Sequence, residues 1–322
     1  MSETQSLRWG ILGCARISRR GLIPGLLASG TGRLAAIGSR DLATARAWAS
    51  EFGIPKAYGS YAEVIADSEI DAVYIPLPNE LHRPWVEAAA DRGLHVLCEK
   101  PLALDPADAR AMVEHCRARD VVLREAFMWR HQPRTLEIRR RVAEGAIGGL
   151  RLIRSSFSFP IDAADWRLDP ARGGGALWDV GCYGLSTARL FAGSEPESIH
   201  ASAHFGPTGV DLSLAATLRF PGDILAQVDC SFEQPFRCRY ELVGTTGTIE
   251  VPDAYLPPDR PSALCITADG RDEWTFDGVN QYAAMVDAFA DAVATGGQGG
   301  DPGENGLAQM TALHAILQAA RA

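Results

Sequence analysis

The first 124 residues alternate short apolar runs with stretches of helical character, and this alternation limits the possible folds more than any other feature. The apolar runs predict strands over residues 7–12, 34–38, 56–58, 72–75, 95–98 and 121–123. The segments between them predict helices over 17–28, 42–52, 61–66, 84–92 and 106–119. Strands that alternate with helices form a parallel sheet with helices on both faces. We therefore expect a doubly wound α/β domain over residues 1–124.

The pattern changes after Arg124. Longer runs of alternating polarity predict strands over residues 150–159, 199–205, 212–220, 223–232, 237–244 and 248–251. Helices are predicted over 133–144, 181–192, 281–294 and 304–320. Long strands joined by short turns are typical of a mostly antiparallel sheet. Residues 125–322 are therefore expected to form an α+β domain on an open sheet, and packing of the terminal helices on the first domain is left open.

Composition argues against several classes of protein. A net charge of −9 and an isoelectric point near 5.3 disfavour a nucleic-acid or membrane-surface partner. No segment approaches the ~18 apolar residues of a membrane span, and residues 1–6 show no signal-peptide pattern. The seven cysteines form no Cys-x-x-Cys pair, which indicates free thiols in a reducing cytoplasm. The seven histidines are dispersed, so no metal site is predicted.

A lysine directly follows the fifth predicted strand, in the tripeptide Glu99-Lys100-Pro101. The carboxyl end of a parallel strand points into the crevice where open α/β sheets bind ligands. Pro101 restricts the preceding residue to extended geometry, which sets the direction of the Lys100 ammonium group. Lys100 is therefore a candidate for chemistry, and the alternative is a solvated lysine in a surface loop.

The turn between the first strand and the first helix has the features of a dinucleotide fingerprint. Such a fingerprint has small residues in the spacing Gly-x-Gly-x-x-Gly/Ala, and here the three positions hold Gly13, Ala15 and Ser18. The turn opens a helix, whose N-terminus favours an anion. The alternative is an ordinary turn of small residues.

The second strand ends at Ser39-Arg40-Asp41. An NAD-selective site usually has an acidic residue here, whereas an arginine suits the 2′-phosphate of NADP. Arg40, with the Ser39 hydroxyl, therefore favours NADP(H) over NAD(H). Asp41 is the counter-evidence, and we expect it to cap the following helix instead.

A second motif runs from Gly173 to Tyr183 and contains three consecutive glycines. Glycines allow a close approach to a ligand or a positive φ. Asp179 and Tyr183 are four residues apart and so share one helical face. A lysine near Tyr183 would stabilise its phenolate and lower its pKa from about 10 toward neutrality, so that it could exchange a proton with an alcohol. The alternative is a capping Asp179 and a core Tyr183.

Taken together, these motifs resemble the Gfo/Idh/MocA oxidoreductases. The resemblance is strongest to the branch with dimeric dihydrodiol dehydrogenase, NADP-dependent D-xylose dehydrogenase and sugar 3-ketoreductases. It is carried by residues 13–17, 39–40, 97–101, 125–130, 166–167 and 173–183. It implies an N-terminal Rossmann domain and a C-terminal domain whose open sheet often forms the subunit interface. Ala15 and Ser18 depart from the all-glycine fingerprint.

The resemblance also implies roles for particular residues. Lys100, Asp179 and Tyr183 would be catalytic, with Tyr183 as the proton donor and acceptor. The 76–79 turn and His82 would line the cofactor cleft, Trp166 and Arg167 would lie near the nicotinamide, and Tyr282 would close over the cofactor. The full predicted cofactor site is Gly13, Cys14, Ala15, Arg16, Ile17, Ser39, Arg40, Tyr58, Pro76, Leu77, Asn79, His82, Glu99, Lys100, Trp166, Arg167 and Tyr282.

The sequence therefore predicts an NADP(H)-dependent oxidoreductase that acts on a sugar, polyol or diol without a metal. Two alternatives stay open, a non-catalytic dinucleotide-binding regulator and an NAD-dependent glycosidase of the same fold. A homodimer or homotetramer is expected, since alternating apolar residues over 212–218 suit burial against another subunit, although such a face can equally pack on helices.

Overall fold

The computed structural model describes residues 6–297 and 304–322, so the predicted lack of a signal peptide rests largely on residues outside the described part. The chain divides into two compact units. One comprises Met1–His131 and Asn280–Leu307, and the other comprises Gln132–Val279 and Ala308–Ala322.

The first unit is built on a parallel sheet. Its strands are β1 (Leu7–Leu12), β2 (Gly32–Gly38), β3 (Lys56–Tyr58), β4 (Ala72–Ile75), β5 (His95–Cys98) and β6 (Leu123–Glu125). They lie in the order β3-β2-β1-β4-β5-β6, the order of a Rossmann fold, and the predicted fold is confirmed. The prediction for the sixth strand was two residues early. The Val121 N–H donates to the carbonyl of Cys116, so Val121 belongs to the turn that ends the preceding helix.

Helices follow the strands of this unit. They are α1 (Ile23–Ala28), α2 (Leu42–Phe52), α3 (Tyr61–Ala66), α4 (His82–Ala90) and α5 (Pro106–Arg117), and α8 (Gln281–Ala294) joins them from the C-terminal part of the chain. A π-helical turn, Ser18–Leu22, precedes α1. Asp41 caps α2 and Asp105 caps α5, each accepting bonds from the backbone N–H groups that helix starts leave unpaired, as predicted.

The second unit contains the mostly antiparallel sheet that was predicted. Its strands are β7 (Leu150–Ser158), β8 (Ser198–Phe205), β9 (Asp211–Phe220), β10 (Ile224–Ser231), β11 (Arg237–Gly244), β12 (Gly247–Val251), β13 (Ser262–Thr267) and β14 (Gly270–Thr275). Their order is β14-β13-β12-β11-β7-β10-β9-β8, and only the β10–β7 pair is parallel. The hairpin of β13 and β14 was not predicted. β14 is a charged edge strand with one buried residue, Trp274, so it lacks the usual apolar alternation.

Three helices complete the second unit: α6 (Pro133–Ala143), α7 (Cys182–Ala192) and the greater part of α9 (Glu304–Arg321). A π-helical turn, Leu177–Gly181, leads into α7 and packs with it on the sheet. Leu214, Ala216 and Leu218 are buried within the unit itself. The suggestion that they face another subunit was therefore wrong, because they belong to the chain's own core.

Candidate active site

The turn after β1 requires a glycine at its first position. Gly13 has a φ of 116°, a region that other residues rarely adopt. A Cβ on Gly13 would lie 3.0 Å from Cδ2 of Leu77, in the loop after β4. The Gly13 N–H donates to the carbonyl of Gly38 at 2.9 Å. Residues 13–15 thus pass the switch point between β1 and β4 before the chain becomes helical at Arg16, which is exposed.

The end of β2 presents an exposed arginine next to an engaged aspartate. Asp41 accepts bonds from the N–H groups of Ala43 at 3.0 Å and Thr44 at 3.3 Å. It also accepts the Thr44 hydroxyl at 2.5 Å, and these bonds lower the pKa of Asp41. The Asp41 N–H donates to Ser39 Oγ at 3.2 Å. Both residues are exposed, but the Asp41 oxygens are engaged by the start of α2, so Arg40 is the charged group that this turn offers to a ligand.

Two tyrosines lie near this turn, and the sequence prediction included only one of them. The Tyr58 hydroxyl donates to Asp67 at 3.0 Å. Tyr61 was missed: its hydroxyl lies 3.7 Å from the Cβ position of Gly13, and its ring meets Trp85 edge-on at 5.2 Å. Burial raises the pKa of Tyr61, and the neighbouring Arg40 guanidinium opposes this shift. An aromatic residue at the start of a short helix gave no sequence signal that it would lie beside the Gly13 turn.

His82 connects the loops that follow β4 and β5. Its Nε2 lies 2.9 Å from the carbonyl oxygen of Leu77. Its Nδ1 lies 3.0 Å from the carbonyl oxygen of Pro101 and 3.2 Å from that of Leu102. The ring is fully buried, and this burial lowers its pKa. His82 was predicted to line the cofactor cleft. The structure shows a fully buried side chain that contacts the backbone carbonyls of two loops and so connects them.

Lys100 lies at the carboxyl end of β5 and is half-buried. Its peptide bond to Pro101 is cis. Glu99 accepts the Lys100 N–H at 3.3 Å and also the hydroxyl of Tyr74. Two positions after Lys100, the Leu102 N–H donates to Glu125 Oε1 at 2.9 Å. Buried or half-buried carboxylates thus hold the backbone on both sides of Lys100.

Tyr282, predicted to close over the cofactor, is buried against the helical segment that follows the Gly13 turn. A Cβ on Gly21 would lie 2.4 Å from Tyr282 Cζ, and one on Gly25 would lie 2.5 Å from Tyr282 Cβ. Burial raises the pKa of Tyr282, and the charge of Glu99 adds to the shift. The ring therefore packs beneath this segment, and a contact with cofactor stays a prediction.

In the second unit, three predicted residues come together. Arg167 Nε lies 2.7 Å from Asp179 Oδ2, and both side chains are largely shielded from solvent. The Arg167 guanidinium carbon lies 5.4 Å from the centre of the Trp166 ring. Asp179 lies within the π-helical turn, and Ala176 provides no side-chain cap at its start. The alternative of a capping Asp179 is therefore wrong, because Asp179 pairs with Arg167.

Tyr183 is the second residue of α7, and its ring is packed in an aromatic cluster. The ring centre lies 4.9 Å from that of Tyr255 and 5.4 Å from that of Phe157. The Tyr183 carbonyl accepts the Thr187 hydroxyl at 2.9 Å, and Thr187 Oγ1 lies 2.8 Å from the Tyr255 hydroxyl. Tyr255, which the sequence prediction missed, thus contacts the ring of Tyr183 directly and its backbone only through Thr187.

The three glycines of the second motif serve the chain's own packing. Gly173 and Gly175 have a positive φ, which was one of the two reasons expected for glycines here. The other was a close approach to a ligand. A Cβ on Gly174 would lie 2.3 Å from the carbonyl oxygen of Arg167. The close approach is therefore to the segment that carries Trp166 and Arg167.

Among residues 6–297 and 304–322, no three His, Cys, Asp or Glu side chains are grouped as metal ligands would be. Over the same residues, none of the helices has both the length and the apolar character needed to cross a membrane.

Comparison with known proteins agrees with this arrangement. Residues 7–127 match the family described as "Oxidoreductase family, NAD-binding Rossmann fold", and residues 135–250 match the "GFO/IDH/MocA C-terminal domain". The chain is 42% identical to "D-xylose 1-dehydrogenase (NADP(+)) 2" of Haloferax volcanii, over 98% of this chain and 97% of that protein. It is 37% identical to the dTDP-3,4-didehydro-2,6-dideoxy-alpha-D-glucose 3-reductase of Streptomyces violaceoruber, over 98% and 96% of the two chains.

A solved structure with the same fold is a 3-ketoreductase from Actinomadura kijaniata, crystallised with NADP and TDP-benzene. Its TM-score is 0.91 at 31% identity, over 98% of each chain. The predicted resemblance is confirmed across nearly the whole length. The chain belongs to the Gfo/Idh/MocA family of oxidoreductases.

Proposed function

We propose that this oxidoreductase uses NADP(H) and transfers a hydride directly between the nicotinamide and a hydroxyl-bearing carbon of a sugar, polyol or diol. The observation that carries the proposal is the position of Lys100 at the carboxyl end of β5, in a parallel sheet of Rossmann order. Ligands of such sheets bind at this edge, near the switch point that Gly13 occupies. The names of the similar dehydrogenase and 3-reductase support a carbohydrate substrate.

The residues present fit a dinucleotide with a 2′-phosphate. Residues 13–17 would hold the pyrophosphate at the start of the helical turn, where an anion is favoured. Ser39 and Arg40 would hold the 2′-phosphate, since Asp41 is engaged in capping α2 and the Arg40 guanidinium is exposed. The similar xylose dehydrogenase is named for NADP(+), and the similar 3-ketoreductase was crystallised with NADP.

Proton transfer is assigned to Tyr183. The bound cofactor supplies or accepts the hydride, and the Tyr183 hydroxyl would accept the alcohol proton in oxidation or return it in reduction. The Lys100 ammonium would stabilise the phenolate form. Asp179 would hold Arg167 in place, because the two side chains form a shielded ion pair. The Trp166–Arg167 segment would then border the reacting carbon and the nicotinamide.

The proposal extends to assembly and location. One face of the second sheet exposes charged and polar side chains, among them Arg154, Gln227, Asp229 and Glu241, around a cavity of ≈ 680 Å³. We propose that a homodimer or homotetramer forms through this face. All seven cysteines are free thiols, which supports a cytoplasmic location.

The test is NADP+ reduction measured over a panel of aldoses, polyols and diols. Lys100→Ala and Tyr183→Phe are expected to lower kcat about 100-fold or more, as for loss of acid/base chemistry. The chain contains two lysines, so Lys56→Ala is a matched control: Lys56 pairs with Asp67 at 2.9 Å, away from the β5 end.

Binding and product assays separate the two alternative functions, a regulatory binding protein and a glycosidase. Binding of NADPH, followed by its fluorescence, without turnover of any substrate would indicate a regulatory binding protein. Glycoside cleavage without net NADP+ reduction would indicate a glycosidase. Near-normal turnover in both Lys100→Ala and Tyr183→Phe would refute the catalytic assignment.

A further inference from the structure

A buried carboxylate lies at the start of the helical segment that carries Asp179 and Tyr183. Asp211, the first residue of β9, is 2% exposed. Its Oδ2 accepts the N–H of Leu177 at 2.6 Å, and the N–H of Ala176 also bonds to this carboxylate. The π-helical turn 177–181 therefore begins on a side chain supplied by a distant strand. This side chain satisfies N–H groups that a helix start leaves unpaired.

The glycine before this turn makes room for the carboxylate. A Cβ on Gly175 would lie 2.3 Å from Asp211 Oδ1, and Gly175 has a φ of 132°. The next residue back, Gly174, packs on the backbone of Arg167. The glycines thus hold the chain between Asp211 on one side and the Arg167 segment on the other.

We propose that Asp211 is a positioning residue for the catalytic helix: its carboxylate fixes the turn that places Asp179 against Arg167 and leads into Tyr183. This inference rests on the proposed function. A displacement of about 1 Å of a catalytic group can lower a rate about 100-fold. Loss of the bonds from Asp211 to the first N–H groups of the turn is therefore expected to lower kcat. Most of the cofactor affinity is assigned to the Gly13 and Arg40 turns of the other unit, so KM for NADP+ should change much less than kcat.

The surroundings of Asp211 give the test a pH signature. Burial raises the pKa of Asp211 to about 6, although the bonds from the Leu177 and Asp211 N–H groups oppose the shift. Arg321 of α9 acts on it in the same lowering direction. Cys230 of β10 packs against Gly181, and its own pKa is raised by burial and by Asp211. On the turn itself the charged group is Asp179, which is paired with Arg167.

Acid has opposite effects on stability and on activity at this position. The raised pKa means that the folded state binds the proton more tightly than the unfolded chain. The stabilisation by this proton is complete below about pH 4 and is lost as the pH rises through about 6. Protonation also removes one oxygen as an acceptor for the turn, so kcat should fall where stability rises. For a residue with a purely structural role, kcat would not fall over the pH range in which stability rises.

The experiment compares wild type with Asp211→Asn, Asp211→Ala and the capping control Asp105→Asn, which affects α5 in the first unit. We expect Asp211→Ala to lower kcat about tenfold or more at pH 7.5, with KM for NADP+ within twofold of wild type. Asp211→Asn, which keeps one acceptor oxygen, should lose less. The wild-type kcat should fall more steeply than that of Asp211→Asn between pH 7 and 5. Over the same range the Tm of wild type should rise relative to that of Asp211→Asn, because the asparagine cannot take up this proton.

Each outcome decides the inference. Wild-type kcat in Asp211→Ala, or identical pH profiles of kcat for wild type and Asp211→Asn, would overturn it. If Asp211→Ala does not fold, the comparison of wild type with Asp211→Asn decides alone. Tyr183→Phe is measured in parallel. If Tyr183→Phe is inactive and both Asp211 variants match wild type, only this inference fails, whereas full activity of Tyr183→Phe removes the proposed function itself.

Discussion

Two adjacent side chains at the end of β2 have different roles because of the backbone around them. Asp41 has its oxygens turned to the N–H groups of α2, so it is committed to the helix. Arg40, one residue earlier, is exposed and lies near Tyr61. Under the proposed function, the choice between NAD and NADP depends on which of the two residues is available to a ligand.

Replacing Arg40 with alanine is expected to raise KM for NADP+ about tenfold or more. A hydrogen bond to a charged group contributes about 1.5 to 3 kcal/mol, and the 2′-phosphate would lose such bonds. KM for NAD+, which lacks this phosphate, should change less than about threefold. Steady-state kinetics with both cofactors measures the difference, with Arg46→Ala on the exposed face of α2 as the control. Equal changes for the two cofactors would contradict the assignment.

His82 makes stability depend on pH. Because its folded-state pKa is lowered by burial, the unfolded chain binds its proton more tightly. Its contribution to stability is therefore present above about pH 6.5 and is lost as the pH falls below that value. We expect His82→Asn to lower the free energy of unfolding by about 2 kcal/mol or more at pH 7.5, since buried carbonyls lose their partner. Urea unfolding at pH 7.5 and 5.5 should show a smaller gap between variant and wild type at the lower pH. A gap that grows on acidification would contradict this account.

At the scale of elements, close packing of α1 on α8 opposes helix propensity. Gly25 lies inside α1, where alanine would gain about 0.5 to 1 kcal/mol by propensity alone. A Cβ there would lie 2.5 Å from Tyr282 Cβ and 2.9 Å from its backbone carbon, which cannot move aside easily. Overpacking of this kind typically costs about 1 to 3 kcal/mol.

Gly25→Ala is therefore expected to destabilise the protein by about 1 to 2 kcal/mol, with the packing cost exceeding the gain in propensity. Gly30→Ala is the matched control, since nothing lies within 4 Å of its Cβ position. Its effect should stay within about 0.5 kcal/mol. Urea unfolding measures both variants. A stabilised Gly25→Ala would show that propensity outweighs the contact.

Elements with a strong local pattern could be predicted from the sequence, and those fixed by distant contacts could not. The parallel strands, the caps at Asp41 and Asp105 and most of α7 follow from short-range signals. The β13–β14 hairpin was missed because its edge strand is charged. The π-helical turn before α7 was missed because its first N–H groups are held by Asp211, a residue that no local spacing connects to it.

The same distinction applies to the site. Lys100, Asp179 and Tyr183 stand in recognisable motifs, so their types and spacing could be interpreted chemically. Tyr255 and Tyr61 contribute through packing around residues far away in sequence, and a single sequence carries no signal of such contacts. His82 was found, but its buried position against three carbonyls could not be deduced from its place in the motif.

At the scale of the whole molecule, the proposed reaction uses residues of both units. Lys100 and Arg40 belong to the first unit, whereas Trp166, Arg167 and Tyr183 belong to the second. If the proposal holds, NADP+ bound through the first unit must also affect the Trp166–Arg167 segment, since that segment is assigned to the nicotinamide end.

Amide hydrogen exchange can detect this effect directly. We expect saturating NADP+ to slow exchange at residues 166–173 about tenfold or more, because ligand contacts raise the free energy of local opening. Peptides from β13 and β14 in the same unit should be unchanged and serve as the internal control. The NADP+ concentration is chosen to saturate wild type but not Arg40→Ala. At that concentration the variant should show weaker protection of residues 166–173. Protection confined to first-unit peptides would place the second unit outside the cofactor site and would remove Trp166 and Arg167 from the proposed chemistry.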